Sequence, residues 1–222
     1  MFIGHFGFGF GAKRYVPKVS LGTLFFAAQF LDLLWPVLLL LGIEQAAIDP
    51  NVPAKLSFSH YPYSHSLLLV LVWAALFGAV YFWRRRDARI ALVLGALVVS
   101  HWVLDLLVHD PDLPLWPGGP LFGLGLWHQP GIELAVEGLL FVVGVVLYLR
   151  STRANDRIGS FGAWALIACL VFIHVANSFS PPPPSINAVA WAGNLQWLFV
   201  ALAWWVDQHR SHAPSITPAA MP

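Results

Sequence analysis

The sequence predicts an all-α protein, a polytopic membrane bundle of about six transmembrane helices with a short apolar N-terminal segment. Of its 222 residues, 58% are hydrophobic and only 10% are charged, whereas about 25% of the residues in a soluble domain are charged. The mean hydropathy is +0.70, and several apolar runs approach the roughly 20 residues that a helix needs to span a bilayer. We therefore expect one integral-membrane domain over residues 1–210, in contact with bilayer lipid, and a disordered polar tail over residues 211–222.

The charge and the cysteine content exclude two further features. The formal net charge is +1 at pH 7, which gives no electrostatic basis for binding nucleic acid. Cys169 is the one cysteine of the chain, so an intrachain disulfide is excluded. Neither property indicates an oligomeric state.

Apolar runs and the breaks between them define the predicted elements. The first twelve residues, MFIGHFGFGFGA, are apolar but too short to span, so we expect them to lie at the interface or to dip part-way into the bundle. Pro36 in the first span predicts a kink, because proline removes a backbone hydrogen bond. Six spans are predicted, over residues 20–41, 63–83, 90–108, 132–149, 161–179 and 188–206.

The distribution of basic residues predicts the orientation of the bundle. If the N-terminus lies inside, eleven of the twelve lysines and arginines fall in inner segments, and only Lys55 falls outside. Inner loops of membrane proteins carry an excess of lysine and arginine. The sequence therefore predicts that both termini are inside.

Several predicted spans carry an ionisable side chain at a similar depth. With a rise of about 1.5 Å per residue, Asp32, His101, Glu137 and His174 lie about 18 to 20 Å from the inner ends of their spans. That level is in the outer half of a hydrocarbon slab about 30 Å thick. Because unpaired ionisable groups are unfavourable there, we expect one shared cavity open to the outer face.

The stretch SHWVLDLLVHDPDLPLWP contains the strongest candidate site. His101, Asp105 and His109 recur every four residues, so on a helix they share one face. Imidazoles and carboxylates without a thiolate suit zinc or another first-row divalent metal. A metal with an open position makes a nucleophile of water, and Glu137 could then act as the catalytic general base. The alternative is that His101 and Asp105 bond to each other and join two helices.

Four pieces of the sequence together resemble the YdjM-like family of bacterial inner-membrane proteins, predicted membrane-bound metal-dependent hydrolases. The pieces are GHFGFGF, the acidic residue of FLDLLWP, YPYSHSLL and SHWVLDLLVHDPDLPLWP, within about residues 1–117. The resemblance implies a location in the bacterial inner membrane and a divalent metal, with zinc the best match. It also implies a set of metal ligands: His5, Asp32, His65, His101 and Asp105.

Two of these pieces differ from the family pattern. Asp32 stands alone where typical members have a D-x-D-H-like cluster, and YPYSHS lacks the first His-Arg of an H-R-G-x-T-H-S-like run. Either the site binds a single metal or other side chains supply the missing ligands. The candidates for those additional ligands are His60, His109, His174 and Glu137.

Three functions are compatible with this pattern. The first is a hydrolase that acts on a membrane-proximal ester or lipid at the outer face. The second is a small transporter, which requires polar groups along the inner halves of the spans, where the sequence is almost wholly apolar. The third is a structural or partner-binding protein, for which the eleven tryptophans would supply interfacial anchors.

Overall fold

A computed structural model describes residues 1–213 of the protein. In this range the chain is mostly helical, with a few short strands. The helices are α1 (Ile3–Ala12), α2 (Leu21–Ala28), α3 (Phe30–Leu40), α4 (Pro62–His65), α5 (Leu67–Arg85), α6 (Ala88–Val108), α7 (Pro130–Ser151), α8 (Ala163–Phe179), α9 (Ile186–Asn194) and α10 (Gln196–Gln208). The strands are β1 (Gln45–Ile48), β2 (Leu56–His60), β3 (Leu113–Pro114), β4 (Leu121–Phe122), β5 (Thr152–Ala154) and β6 (Arg210–His212).

Five helical stretches are long and apolar enough to cross a membrane, which indicates a membrane protein. They are Leu67–Arg85, Ala88–Val108, Pro130–Ser151, Ile158–Phe179 and Ile186–Gln208. The pair α2 and α3 would form a sixth span if the two helices are counted together, although they are bent by 60°. Their break lies at Gln29, whereas Pro36 remains inside α3, so the kink that the sequence predicted at the proline lies seven residues earlier.

Helix α1 is buried within the bundle, the second of the two positions that the sequence allowed. It packs against α7 at a distance that only glycine permits. A Cβ atom on Gly144 of α7 would lie 2.0 Å from the carbonyl oxygen of Gly7, so the two backbones are in direct contact. Close approach through small residues is a usual way for membrane helices to associate. Helix α1 thereby carries His5, which is 1% exposed, into the interior of the bundle.

The hairpin of α5 and α6 sets the position of the central helix. Arg86 adopts a left-handed conformation (φ 56°) and ends α5, and Asp87 caps α6 by accepting a hydrogen bond from the Ile90 N–H at 3.0 Å. This cap satisfies one of the free N–H groups at the start of a helix. Helix α6 then runs for 21 residues and places the buried His101 and Asp105 in its C-terminal half.

Short strands qualify the all-α prediction. Three two-stranded antiparallel sheets join β1 to β2, β3 to β4 and β5 to β6. The first lies in the segment predicted as a polar loop, with Ala46 opposite Phe58. The third pairs Thr152 with His212, so the first residues of the predicted disordered tail are ordered. The rest of that tail, from residue 214 onward, lies outside the described residues.

Two large apolar clusters and one small cluster pack the helices together. One large cluster includes buried side chains of α2, α3, α5 and α6, and the other includes side chains of α1, α2, α7, α8 and α10. The small cluster consists of Met1, Leu104 and Val108. Helix α1 also contacts α6. The ionisable side chains described below come from α1, α3, α4 and α6, and they lie where these helices meet.

Candidate metal centre

The structure brings together the five side chains that the resemblance implied as metal ligands. They form two overlapping groups, His5 with His101 and Asp105, and Asp32 with His65 and His101. Within each group one ligand atom from every residue lies within 4.8 Å of the others. We refer to the five as the His/Asp cluster. They are buried, except that the side chain of Asp32 is 24% exposed and leaves a path for solvent.

Asp105 lies at the middle of the His/Asp cluster. Its Oδ1 is 3.1 Å from His5 Nε2 and 2.7 Å from the amino group of Met1. Its Oδ2 is 3.2 Å from His101 Nε2 and 3.7 Å from His65 Nε2. Asp32 faces the same two imidazoles, since its Oδ1 lies 3.6 Å from His101 Nε2 and 3.7 Å from His65 Nε2. Two carboxylates and three imidazoles therefore share one small volume.

His101 presents a free nitrogen to the cluster. Its Nδ1 lies 2.8 Å from the carbonyl oxygen of Ala28. Because a carbonyl only accepts hydrogen bonds, Nδ1 carries a proton, and in the neutral ring Nε2 therefore carries a lone pair. That Nε2 is buried and forms no hydrogen bond within the described residues, although both carboxylates are close. A buried lone pair facing carboxylate oxygens is unfavourable without a cation, so a metal ion fits this position.

His65 is oriented in the same way by two residues behind it. The Ser64 hydroxyl donates to Glu44 Oε2 at 2.6 Å, and it therefore accepts from Nδ1 of His65 at 2.7 Å. Glu44 is 1% exposed, and its Oε1 accepts the backbone N–H groups of Tyr63 and Ser64 at 2.7 and 2.8 Å. A hydrogen-bonded Nδ1 is the usual arrangement of a histidine that binds metal through Nε2.

His5, from helix α1, is the fifth member of the cluster. Its ring stacks on that of His101, with centroids 3.6 Å apart and planes at 5°. Two imidazolium ions at that separation would repel each other, so the stacking disfavours a charge on both rings at once. Neutral imidazoles are the form that binds metal. The Nδ1 of His5 is buried and has no partner among the described residues.

Glu137, which the sequence suggested as a base, lies outside both groups. Its Oε2 accepts the backbone N–H groups of Phe2 and Gly4 at 2.9 and 3.1 Å. A carboxylate there caps the start of α1 and interacts favourably with the helix dipole. This geometry gives Glu137 a positioning role, because it fixes the helix that carries His5. Its role as a base stays a prediction.

The other three suggested ligands also lie outside both groups. His60 is exposed in β2, and its ring lies 6.1 Å from that of Tyr63. His174 is buried in α8 and stacks on Phe2 at 6.4 Å. His109 follows the last turn of α6, near the cluster but not within either group.

A cavity of about 130 Å³ adjoins the His/Asp cluster. Its lining includes three members of the cluster, Asp32, His65 and Asp105. It also includes a set of aromatic rings: Trp35, Phe58, Tyr61, His109 and Trp127. A ligand in this cavity would therefore lie beside both the cluster and these rings.

A second hydrogen-bonded group includes two of the aromatic residues that line the cavity, Tyr61 and His109. Asp112 Oδ1 accepts from the Tyr61 hydroxyl at 2.8 Å and from His109 Nδ1 at 2.9 Å. Burial, together with the carboxylate of Asp112, raises the pKa of Tyr61 above its usual range. The phenol therefore keeps its proton and acts as a donor.

Sequence reasoning missed Glu44, Ser64 and Asp112 as parts of the site. Glu44 stands in the loop between the first two predicted spans, and only the β1–β2 hairpin brings it back to Ser64. The adjacency of Ser64 to His65 was the one available signal, and it gave no geometry. Comparisons of the chain with protein-family models, with curated proteins and with solved structures found no match.

Proposed function

We propose that the protein is a membrane-embedded metal-dependent hydrolase of the bacterial inner membrane, acting on a membrane-proximal ester or lipid. His5, Asp32, His65, His101 and Asp105 would hold the metal, with zinc the best match for nitrogen and oxygen ligands. One observation carries the proposal. The Nε2 atoms of His65 and His101 converge with the two carboxylates, and no hydrogen bond joins His101 Nε2 to either of them.

The tautomer of His101 favours a single metal ion. His101 belongs to both possible ligand groups, but its Nδ1 is bonded to the Ala28 carbonyl and only Nε2 is free. One nitrogen lone pair binds one ion. The two groups are therefore better described as alternative ligand sets for one ion than as two separate sites. A single ion also agrees with the acidic and histidine residues that this sequence lacks relative to the family pattern.

A bound divalent metal would lower the pKa of a water molecule and polarise a substrate oxygen. The protein contributes orientation and access. Ser64 and Glu44 fix the ring of His65, the Ala28 carbonyl fixes that of His101, and the exposed edge of Asp32 leaves a route for solvent. The adjoining cavity offers space for a substrate group beside the ligands.

The proposed topology places this cavity at the outer face of the membrane. His101 and Asp105 lie in the C-terminal half of α6, and the arginines of the α5–α6 turn lie at its other end. If the arginine-rich turn is cytoplasmic, as the positive-inside rule requires, the cluster is in the outer half of the bilayer. Substrates would then come from the outer leaflet or from the adjoining aqueous compartment.

Hydrolysis assays in detergent test the proposal. We expect the purified protein to cleave p-nitrophenyl butyrate or bis-p-nitrophenyl phosphate, to lose this activity to a chelator, and to regain it with added zinc. Asp105→Asn should abolish the activity. His174→Gln, which changes a buried histidine outside the cluster, should retain it. Activity that survives both chelation and Asp105→Asn, or no activity in a zinc-loaded protein, would overturn the proposal.

A further inference from the structure

We propose that His109, oriented by Asp112, transfers the proton in this hydrolysis, from the attacking water to the leaving oxygen of the substrate. The inference rests on the proposed function and assigns a second catalytic group to the same cavity. It replaces the role that the sequence suggested for Glu137, whose Oε2 is engaged by two backbone N–H groups of α1.

The end of α6 places His109 beside the metal ligands. His109 follows Asp105 by one helical turn, so both side chains emerge on the same face of the helix. The helix ends at this point, since His109 has an extended conformation (φ −64°, ψ 149°). Both residues line the 130 Å³ cavity. A substrate group in that cavity would therefore lie between the His/Asp cluster and His109.

Hydrogen bonding fixes the tautomer of His109. Asp112 accepts from Nδ1 at 2.9 Å, and the Tyr61 hydroxyl holds the same carboxylate oxygen at 2.8 Å. The proton of the neutral ring is therefore on Nδ1, and the lone pair is on Nε2. No other described side chain forms a hydrogen bond with Nε2. A carboxylate behind Nδ1 orients a histidine base and stabilises the imidazolium that forms when Nε2 takes a proton.

Aromatic rings hold the imidazole in place. The ring centroid of His109 lies 4.2 Å from that of Trp127 and 5.1 Å from that of Phe58. His109 is only 5% exposed, so water reaches it through the cavity and not from bulk solvent. Fixed orientation and restricted water are both needed for efficient proton transfer.

Elimination also points to His109. Among the described titratable groups that line the cavity, Asp32, His65 and Asp105 are candidate metal ligands. The amino group of Met1 is bonded to Asp105, and Tyr61 already donates to Asp112. His109 is the remaining one, and its free nitrogen can both accept and donate a proton.

The proposed step is balanced without another reactant. The oxygen of water forms a bond to the carbonyl carbon or phosphorus of the substrate, and one water proton passes to His109 Nε2. The bond from that centre to the leaving oxygen then breaks, and its electron pair goes to the oxygen. The leaving oxygen takes the proton from Nε2, and His109 returns to its neutral form. One water is consumed, and an acid and an alcohol are released.

Two esters with the same acyl group and different leaving groups test this role. p-Nitrophenolate leaves without protonation, whereas the alkoxide of ethyl butyrate needs a proton. Acid–base groups contribute about 10²–10⁴-fold to a rate. We expect His109→Gln to lower kcat for ethyl butyrate about 100-fold or more. The loss of kcat for p-nitrophenyl butyrate should be smaller than this loss by a factor of at least ten. Asp112→Asn should shift the ratio of the two rates in the same direction.

Zinc content and rescue separate this role from others. We expect His109→Gln to keep the zinc content of the wild type, and added imidazole to restore hydrolysis of ethyl butyrate by His109→Ala. Equal losses on both esters without rescue, or loss of zinc, would overturn the proton-transfer role while leaving the hydrolase intact. A zinc-loaded wild type inactive on every ester tested would overturn the proposed function and this inference with it.

Discussion

Two buried polar clusters in this protein differ in how their hydrogen-bonding groups are matched. In the first, which we call the Lys13–Asp207 cluster, Lys13 Nζ lies 2.5 Å from Asp207 Oδ2 and 2.8 Å from the Val19 carbonyl. Asp207 also accepts from the Leu21 N–H at 3.0 Å and from the Tyr148 hydroxyl at 3.3 Å. Every acceptor there faces a donor, so the cluster is complete as it stands.

The His/Asp cluster is matched only in part. Asp105 Oδ1 lies 2.7 Å from the amino group of Met1 and 3.1 Å from His5 Nε2. The nitrogen of His101 that points toward the two carboxylates, in contrast, makes no hydrogen bond. Burial alone therefore does not identify a ligand site in this protein. Unmatched polar atoms that converge on one point are the stronger indication of a ligand site, because such an arrangement is unfavourable until a cation joins it.

The largest effect on stability should come from breaking the matched cluster. Lys13→Met leaves the Asp207 carboxylate buried without its cation, and the loss of one partner from a buried pair costs about 3–5 kcal/mol. We expect a large drop in the thermal unfolding temperature in detergent, whether or not zinc is present. Lys18→Met is the matched control, because Lys18 is exposed. Equal unfolding temperatures for the two variants would contradict the difference drawn between the clusters.

A smaller effect should follow from loosening the support of His65. Glu44→Gln weakens the bond that orients Ser64 and therefore the imidazole. Loss of an outer partner of a metal ligand costs about 10–100-fold in affinity, which is about 1.4–2.8 kcal/mol. Competition with a zinc chelator measures the change. Asp49→Asn, in the same β1–β2 hairpin, should leave the affinity as it is. An unchanged affinity in Glu44→Gln would exclude the Glu44–Ser64–His65 chain as a support of the metal.

The smallest effect is expected at Asp32 in metal-free protein, and its sign reverses when metal is bound. Asp32 faces two imidazole nitrogens but accepts no hydrogen bond from either. In metal-free protein, Asp32→Asn removes a charge and supplies donors, so we expect about 1 kcal/mol of added stability. In zinc-loaded protein the same change removes a ligand and lowers stability. Paired unfolding curves with and without zinc give both values, and a loss of equal size in both states would show that Asp32 acts only structurally.

The sequence predicts a common depth for several polar residues, but it does not predict the direction of each side chain around its helix axis. Residue counting placed Asp32, His101, Glu137 and His174 at one level. In the structure, Asp32 and His101 point into the His/Asp cluster, whereas Glu137 points toward the first turn of α1. A lone sequence gives the rise per residue but does not say which neighbour a helix face meets.

Features that depend on pairing between residues far apart in the chain could not be predicted from the sequence either. In the sequence Lys13 is only one of the basic residues of the predicted inner segments, and its partner Asp207 is 194 residues away. The bend at Gln29 has no proline or glycine at the break, so no local signal marks it. By contrast, the helical class and the apolar spans follow from composition and run length, which are local properties.

The zinc content of detergent-purified protein tests the central claim most directly. Elemental analysis should find about one transition-metal ion per chain in the wild type and in His174→Gln, and almost none in His101→Gln, which removes the nitrogen shared by both ligand groups. A wild type without stoichiometric metal, or a His101→Gln variant that keeps it, would contradict the assignment of the His/Asp cluster as a metal centre.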